Sequence, residues 1–481
     1  MSPGFGERTR WSIGEAAVGF AFAAFAIAYA VFLPSFEGPD ESEHARYIQA
    51  WAEGAAVHPL DPNDPLRWGY QVVQPPLYYA IAGGAARLLH LSFAESLVIN
   101  PTQNPRPPFL RHDVPGQRFP YDAVNRDLHL LRLLSTTFGV LTFVVLRRGF
   151  AMVFPGSPTA RVFLLAASML APNTLQIFAV VANDAQSLLF SAATLVLAIA
   201  IVRAPTPGRA AFLLAGICAG LAALSKITGL AAVAAAASLF AIDGFGNRRL
   251  AVYVRGIASF LPPLLLLAGP WFGANWQWYG SFTGESQLLR LTPAFHLDRA
   301  RSLSELLAVL RENMPSTFVA DLAWQSIQLP GLSKPLFWLW LLCVAASAPI
   351  AWMRRRAAGR IRAELFLPVV VVGWSLVLLV SVNRQWRNLQ IRHVWCLYPF
   401  TLIGVALVAQ ALPAFARAWR RVAVAGAVAG MLLLNALLLG MFASLYAPGK
   451  AVDRMDRDYR TFLYTWARDQ NRAVQYLRSG R

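Results

Sequence analysis

Long apolar runs, separated by short polar or basic segments, recur along most of the chain. The first run, from Trp11 to Leu33, is long enough to cross a bilayer as a single helix. The same pattern predicts about eleven transmembrane helices in all. Their approximate positions are 12–34, 128–146, 160–181, 184–203, 210–225, 227–242, 251–270, 334–353, 364–382, 393–416 and 422–445. The sequence therefore predicts an all-α polytopic membrane protein.

Basic clusters fix the direction in which these helices cross. Cytoplasmic segments carry an excess of Lys and Arg, so the short Arg clusters between runs are expected inside. This topology leaves two large outer loops, at about 35–127 and 271–333. The first run lacks a small-residue cleavage site before the acidic segment that follows it. We therefore expect a retained first helix, not a signal peptide.

The segment 75–90 is apolar but short. As a helix it would extend about 24 Å, less than the ~30 Å hydrocarbon core. We expect an interfacial or re-entrant helix there, in the first outer loop. The prediction is one transmembrane domain over 1–445 and a short charged tail over 446–481. The tail and the loop 383–392 fall outside on this topology, although both carry several arginines.

Composition excludes a soluble globular protein, because 56% of the residues are hydrophobic and only 14% are charged. The formal net charge is +18, and a basic balance of this size often marks nucleic-acid binding. Here the arginines cluster at helix ends, which indicates topology and contact with anionic membrane lipids instead. The three cysteines lie in apolar runs without metal-ligand spacing, so neither a disulfide framework nor a cysteine metal site is predicted.

The segment Pro39 to His44 follows the first helix and carries the most informative chemistry in the chain. It contains Asp40, Glu41 and Glu43 beside the His44 imidazole. Carboxylates at a membrane boundary are costly to desolvate, so we interpret them as functional. The alternative is a solvated loop that ends a helix.

The predicted topology brings further polar residues to the same membrane face: Asp184, Lys226, Arg387, Arg392 and His393. A carboxylate can accept a proton from a hydroxyl as a general base, while Arg and Lys stabilise a departing phosphate. Ser-His-Asp, phosphate-binding Gly-loop and HExxH patterns are absent from the sequence, which argues against hydrolase, ATPase and metalloprotease activities.

Several local motifs resemble those of one known family. They are Pro39-Asp40-Glu41, Gln74-Pro75-Pro76-Leu77-Tyr78-Tyr79, Asn183-Asp184-Ala185, the segment Gly269 to Gly280, and Gln390-Ile391-Arg392-His393. In this order they resemble the GT-C superfamily of polyprenyl-phosphate-dependent glycosyltransferases. The similarity is greatest to the branch containing protein O-mannosyltransferases and lipid A aminoarabinose transferases, and it covers about 12–410. The last motif departs from the family pattern, because His393 replaces the usual aromatic residue.

The resemblance implies a GT-C-like helical bundle and assigns roles to individual residues. Asp40 would be the catalytic base, Glu41 and Asp184 would orient the acceptor or bind a divalent cation, and Arg392 would hold the donor phosphate. Lys226, Arg387 and His393 would lie around that phosphate, and Glu43 and His44 near the acceptor or metal. A cation (Mg, Mn or Ca) would be held by some of Asp40, Glu41, His44 and Asp184.

The expected partners are a polyprenyl-phosphate-linked sugar, membrane lipids and a glycan, lipid or protein acceptor, with no nucleic acid. Transfer would invert the anomeric carbon. The resemblance also implies a multi-pass protein of the bacterial inner membrane, with its active site facing the periplasm or exterior.

Each residue also has a simpler interpretation. Asp184 could cap a helix, Lys226 could extend to the membrane interface, and Glu43 and His44 could be exposed loop residues. A last group is expected to contact sugar or lipid: Gln74, Tyr78, Tyr79, Trp271, Asn275, Trp276 and Tyr279. Its aromatic members could instead form an interfacial belt.

Two other activities remain open on the sequence alone. A secondary transporter or lipid-linked-sugar flippase could use the same carboxylates for ion coupling. Against this, no predicted helix centre carries a strong acid and no inverted repeat is visible. A polymer ligase with a pyrophosphate-linked donor is the second alternative.

Overall fold

The computed structural model describes residues 11–54, 70–92, 119–284, 297, 299–323, 327–382, 384–385, 395–412 and 414–445. Within these ranges the regular structure is helical apart from one antiparallel pair of two-residue strands, β1 (Asp321–Leu322) and β2 (Ile327–Gln328). The prediction of an all-α polytopic membrane protein is confirmed.

Fifteen α-helices are described, numbered here in chain order. The first seven are α1 (Ile13–Phe32), α2 (Glu41–Ala52), α3 (Leu77–Leu88), α4 (Ala123–Val153), α5 (Pro158–Met169), α6 (Pro172–Ile177) and α7 (Asp184–Arg203). The next four are α8 (Arg209–Ser225), α9 (Gly229–Gly246), α10 (Leu250–Tyr279) and α11 (Leu303–Thr317). The last four are α12 (Pro330–Ala358), α13 (Leu367–Val382), α14 (Tyr398–Ala411) and α15 (Ala414–Leu445). Single 3₁₀ turns cover Tyr70–Val73 and Ala363–Phe366.

Eight of the described helices are long and apolar enough to cross a membrane: α1, α4, α7, α9, α10, α12, α13 and α15. Two more predicted spans correspond to the shorter apolar helices α8 and α14. The segment 75–90 forms α3, whose 12 residues extend only about 18 Å, too short to span.

The prediction of one continuous helix over 160–181 is wrong. The helix stops at Met169, and the chain restarts as the short helix α6 and then continues without helix to Asn183. Pro172 explains the break, because proline lacks an N–H and disfavours helical backbone in the residue before it. Ala171 accordingly has extended backbone, with φ −61° and ψ 129°.

The segment that was predicted as the second outer loop is also shorter than expected. The helix α10 continues to Tyr279, and α12 begins at Pro330, so the segment between these helices runs from 280 to 329. It contains α11 and the β1–β2 pair. Backbone hydrogen bonds from Leu297 N to Gln385 O (2.8 Å) and from Arg301 N to Arg384 O (2.9 Å) join this segment to the one that follows α13.

The bundle has chemically different ends. At the end where α1 begins, Arg147 of α4 and Arg161 of α5 hold the fully buried Glu15 carboxylate at 3.3 and 2.6 Å. We call this the arginine end. At the same end, the Asn247 side chain donates to Ile361 O and accepts from Ile361 N, both at 2.8 Å. The opposite end, where α1 leads into Asp40, is called the carboxylate end.

One polar side chain of the last described helix bonds to two other parts of the bundle. In α15, Asn435 accepts from the Tyr29 hydroxyl of α1 and donates to Leu170 O, both at 2.8 Å. Leu170 lies at the break between α5 and α6. The Asn435 amide therefore satisfies a carbonyl where the helix between α5 and α6 is interrupted.

Candidate active site

The site at the carboxylate end begins with Asp40, the residue before α2. Its backbone is left-handed, with φ 58°, a conformation that costs less for Asp than for most residues. Its carbonyl accepts from the backbone N–H groups of Glu43 and His44, both at 3.0 Å, whereas its side chain does not cap the helix. Such backbone is often found at functional sites, and the Asp40 side chain is half-buried.

Glu41 is fully buried and its carboxylate accepts four hydrogen bonds. Arg132 of α4 donates to both oxygens, at 2.8 and 2.6 Å. The backbone N–H groups of Val181 and Gly38 donate to the same carboxylate, at 2.9 and 3.3 Å. Glu41 thus joins α2, α4 and the segment before α7. This geometry favours a positioning role for Glu41 over direct contact with a substrate.

His44 lies beside Tyr79 of α3. The His44 Nδ1 atom is 2.9 Å from the Tyr79 hydroxyl, which donates to Gln71 Oε1 at 3.3 Å. Because the hydroxyl has a single proton, this arrangement is consistent with a His44 that donates from Nδ1. The two rings stack with centroids 5.8 Å apart. Glu43 is also buried and pairs with Arg46 at 3.3 Å, so neither Glu43 nor His44 is an exposed loop residue.

The two tyrosines of α3 lie among three acidic residues. Burial raises the pKa of Tyr78, and the nearby Glu41 and Asp184 carboxylates raise it further. Burial likewise raises the pKa of Tyr79 well above its ordinary value, with smaller contributions from Asp184 and Asp40. Asp40, Glu41 and Asp184, distant in sequence, are therefore close enough to act on one pair of phenols.

Asp184 and Lys226 form an ion pair at this site. Asp184 is the first residue of α7, and Lys226 lies in the turn between α8 and α9. The Lys226 Nζ atom is 2.6 Å from Asp184 Oδ1, and both side chains are largely buried. Lys226 therefore places its ammonium group against a carboxylate, and the structure brings these two predicted residues together.

A small cavity of about 20 Å³ lies between Pro39 and Asp184. Asp321, from β1 in the segment before α12, also faces this cavity, as do Asn173 and Gln176 of α6. These three residues were not predicted from the sequence. Their signal was the presence of polar side chains within apolar stretches, which is costly unless the side chains are satisfied or used.

The residues of α10 that were predicted to contact sugar or lipid include both buried and exposed side chains. Trp271 and Asn275 are buried, and the Asn275 side chain donates to Phe282 O at 3.2 Å. Trp276 is 53% exposed and stacks on Phe282, with ring centroids 4.7 Å apart. This exposure fits an interfacial belt better than a sugar platform.

Two more residues that were predicted to contact sugar or lipid lie nearer the site. Tyr279 is close enough to Tyr47 of α2 to help raise the pKa of the Tyr47 phenol to about 12, a shift caused mainly by burial. Gln74 is half-buried and its backbone N–H donates to Gln71 O, at 2.9 Å.

Several predicted features lie outside the described residues. These are Arg387, Arg392 and His393, together with the tail 446–481. Among the residues that are described, no three His, Cys, Asp or Glu side chains group closely enough to hold a metal ion. Asp40, Glu41, His44 and Asp184 thus do not form a ready cation site, and Glu41 is already occupied by Arg132.

A larger apolar cavity of about 220 Å³ lies between α11, α12, α13 and α14. Its wall includes Phe318, Phe337, Trp340, Trp395 and Tyr398, with Arg311 as the charged residue. The rings of Trp395 and Tyr398 are stacked, with centroids 4.0 Å apart. The chemistry of this wall suits a hydrocarbon chain.

Comparison with known proteins gave matches to solved structures alone. No family model and no curated protein sequence matches the chain. The fold is similar to that of ArnT from Cupriavidus metallidurans bound to undecaprenyl phosphate, with TM-score 0.48 and 18% identity over 96% of this chain and 77% of that one. The corresponding values for ArnT from Cupriavidus metallidurans in the apo state are 0.49, 17%, 95% and 75%. Similarity at this level leaves activity to be argued from this chain's own residues.

Proposed function

We propose that this protein is a membrane glycosyltransferase that moves a sugar from a polyprenyl-phosphate-linked donor to an acceptor. The observation that carries the proposal is that Pro39, the residue before Asp40, and Asp184 line the same 20 Å³ cavity, with Lys226 2.6 Å from Asp184. These residues come from the motifs that resemble the GT-C family. Together with Glu41 they provide three carboxylates, as well as a cation, at one end of a helical membrane bundle.

Asp40 is proposed to act as the general base. It accepts the proton of an acceptor hydroxyl or amine as that atom attacks the anomeric carbon of the sugar. The bond between the anomeric carbon and the phosphate oxygen breaks, and its electron pair leaves with the polyprenyl phosphate. Attack from the face opposite the phosphate inverts the anomeric carbon. Support comes from the left-handed backbone at Asp40 and from its neighbour Pro39, which lines the same cavity as Asp184.

Glu41 is proposed to position Asp40 instead of touching the substrate. Four donors occupy its carboxylate, and two of them come from Arg132. A buried bidentate pair of this kind resists rotation of either side chain. Since Glu41 is the residue after Asp40, holding one also fixes the other.

The donor phosphate is proposed to bind near Lys226 and the arginine loop that contains Arg387, Arg392 and His393. Lys226 is a cation beside Asp184 in the described site, and Arg392 would add planar, two-point recognition of phosphate. The polyprenyl chain is proposed to lie in the 220 Å³ apolar cavity, where Arg311 offers a cation at its wall. No step is assigned to a metal ion, because the four residues expected to hold one do not form a ligand set.

The carboxylate end is proposed to face the periplasm or cell exterior of a bacterial inner membrane. The support is the arginine excess at the opposite end, where Arg147, Arg161 and Arg249 lie. The acceptor is a glycan, lipid or protein that reaches this face.

The direct test is release of polyprenyl phosphate by the purified protein in detergent. The substrate would be a polyprenyl-phosphate sugar labelled in both the lipid and the sugar, offered with envelope extracts as acceptor. The expected result is free polyprenyl phosphate and labelled acceptor in equal amounts. Movement of intact donor across a vesicle membrane, without cleavage, would instead identify a flippase. Release of polyprenyl pyrophosphate from a pyrophosphate-linked donor would identify a ligase.

A further inference from the structure

Asn173 of α6 uses its amide to bind the backbone of the segment 317–323. Its Nδ2 atom donates to Thr317 O and Phe318 O, at 3.0 and 3.2 Å. Its Oδ1 atom accepts from Asp321 N at 2.8 Å. Asn173 is only 4% exposed, so these bonds form in an environment where unmade ones would be costly.

Gln176, one turn further along α6, binds the same segment. Its Oε1 atom accepts from Ala323 N at 2.8 Å, and its Nε2 atom lies 3.4 Å from Asp321 O, which it faces as a donor. Ser333 of α12 holds the segment from the other side, because its hydroxyl accepts from Val319 N at 3.1 Å. The segment 317–323 is thus held by hydrogen bonds to its backbone, and its side chains take no part in these bonds.

The side chains of this segment reach two different cavities. Phe318 lines the 220 Å³ apolar cavity, where it packs on Trp340 with ring centroids 5.2 Å apart. Asp321 lines the 20 Å³ cavity that Asp184 and Pro39 also face. The short helix α6 also contacts the walls of both cavities. Its residues Asn173 and Gln176 line the 20 Å³ cavity. The hydroxyl of Thr174 accepts from Nε1 of Trp395, a wall residue of the 220 Å³ cavity, at 2.6 Å.

We propose that the segment 317–323 is the partition between the lipid cavity and the carboxylate site, and that Asn173 and Gln176 are the positioning residues that set its place. The inference rests on the proposed function and deepens it. A lipid-linked sugar then lies with its chain on the Phe318 side of the segment and its reacting phosphate on the other side, near Lys226. The side-chain amides of Asn173 and Gln176 hold the segment 317–323 in a fixed position between the two cavities. The anomeric carbon of the bound donor then lies next to Asp40.

This arrangement predicts a specific kinetic defect. Loss of the amide contacts lets the partition shift, while the apolar wall around Trp340 and Tyr398 remains. Donor binding should then persist, and the turnover number should fall. Misplacement of a reacting atom by about 1 Å can cost roughly 10²-fold in rate.

The test compares Asn173→Leu and Gln176→Met, which approximate the original volumes but remove the hydrogen bonds. Each purified variant is assayed for kcat with a saturating polyprenyl-phosphate sugar, and for equilibrium binding of labelled undecaprenyl phosphate. The expected result is a loss of about 10²-fold in kcat with unchanged affinity for undecaprenyl phosphate. If either variant fails to fold, Ser333→Ala removes a single bond to the same segment and should lower kcat in the same sense.

Asn247→Leu is the matched control. It removes an amide that makes two backbone hydrogen bonds to Ile361 at the arginine end, so kcat should be retained in the folded protein. The inference would be overturned if the α6 variants kept the wild-type kcat, lost lipid affinity in proportion to rate, or behaved like Asn247→Leu. A wild-type protein that releases no polyprenyl phosphate would refute the proposed function itself, and the inference with it.

Discussion

Arg132 and Glu41 form a bidentate ion pair with both side chains at 0% exposure. The remaining donors of Arg132 go to carbonyls at the end of α1 and just beyond it, including Ala30 O at 2.9 Å and Pro34 O at 2.8 Å. One guanidinium therefore fixes the exit of α1 and the start of α2 on either side of Asp40. The position of Asp40 depends on this pair.

We expect Arg132→Met to destabilise the protein strongly. The change leaves the Glu41 carboxylate buried without its counter-charge, a situation that typically costs about 3–5 kcal/mol. The measurement is the midpoint of thermal unfolding in detergent, together with the yield of folded protein.

The double variant Arg132→Met, Glu41→Leu is the control for this prediction. Neither charge is then left alone, so part of the lost stability should return, because buried ion pairs can often be replaced by apolar residues. A single variant that unfolds at the wild-type temperature would show that Glu41 does not depend on Arg132.

Asp40→Asn should fold normally and transfer little sugar. Asparagine keeps the shape and tolerates the left-handed backbone at this position, but it cannot accept the acceptor's proton. Loss of a general base usually costs about 10²–10⁴-fold in rate. The measurement is kcat for sugar transfer. Glu53→Gln, an exposed change just after α2, is the control that should retain activity, and wild-type transfer by Asp40→Asn would exclude Asp40 as the base.

Substitutions of Lys226 and Asp184 should affect donor binding differently. Lys226→Met removes the cation, and hydrogen bonds to charged groups are worth about 1.5–3 kcal/mol, so affinity for undecaprenyl phosphate should fall by about tenfold or more. Asp184→Asn leaves the ammonium without its carboxylate partner. Affinity for the phosphate should then stay the same or rise, although transfer falls. Equal weakening by both variants would indicate that the pair serves structure alone.

Arg392 remains the predicted phosphate ligand of the arginine loop. Arg392→Lys keeps the charge and loses the planar fork, so donor affinity should weaken without vanishing. Arg392→Ala should weaken it further. Both are measured by equilibrium binding and by kcat, and an Arg392→Ala variant with unchanged values would assign the loop another purpose.

Hydropathy was sufficient to predict most of the bundle. Apolar runs such as 364–382 match their helices within a few residues, since a helix in lipid must be apolar along its length. Pro172 is a sequence signal for the break between α5 and α6. Hydropathy cannot detect this break, because the apolar run continues through Pro172. The extension of α10 to Tyr279 was missed because its aromatic end suits an interface as well as a span.

The site was only partly predictable for a different reason. Asp40, Asp184 and Lys226 were found because they stand at the ends of apolar runs. The partner of Glu41 was not found, because Arg132 is 91 positions away and lies inside a predicted span. Asn173 and Gln176 bind backbone atoms some 145 positions further along. Pairings at such separations arise from packing, and no local pattern encodes them.

The contact between Asn435 and Leu170 also has a consequence for the order of assembly. The helix α15 is synthesised after every other described helix, and most of its surface faces outward. Until it arrives, the Leu170 carbonyl at the break before α6 lacks this partner. Since α6 carries Asn173 and Gln176, completion of the carboxylate end awaits the insertion of the final described span. A nascent chain arrested before residue 435 would already contain Asp40, Glu41 and Asp184 and would still lack the contact between Asn435 and Leu170.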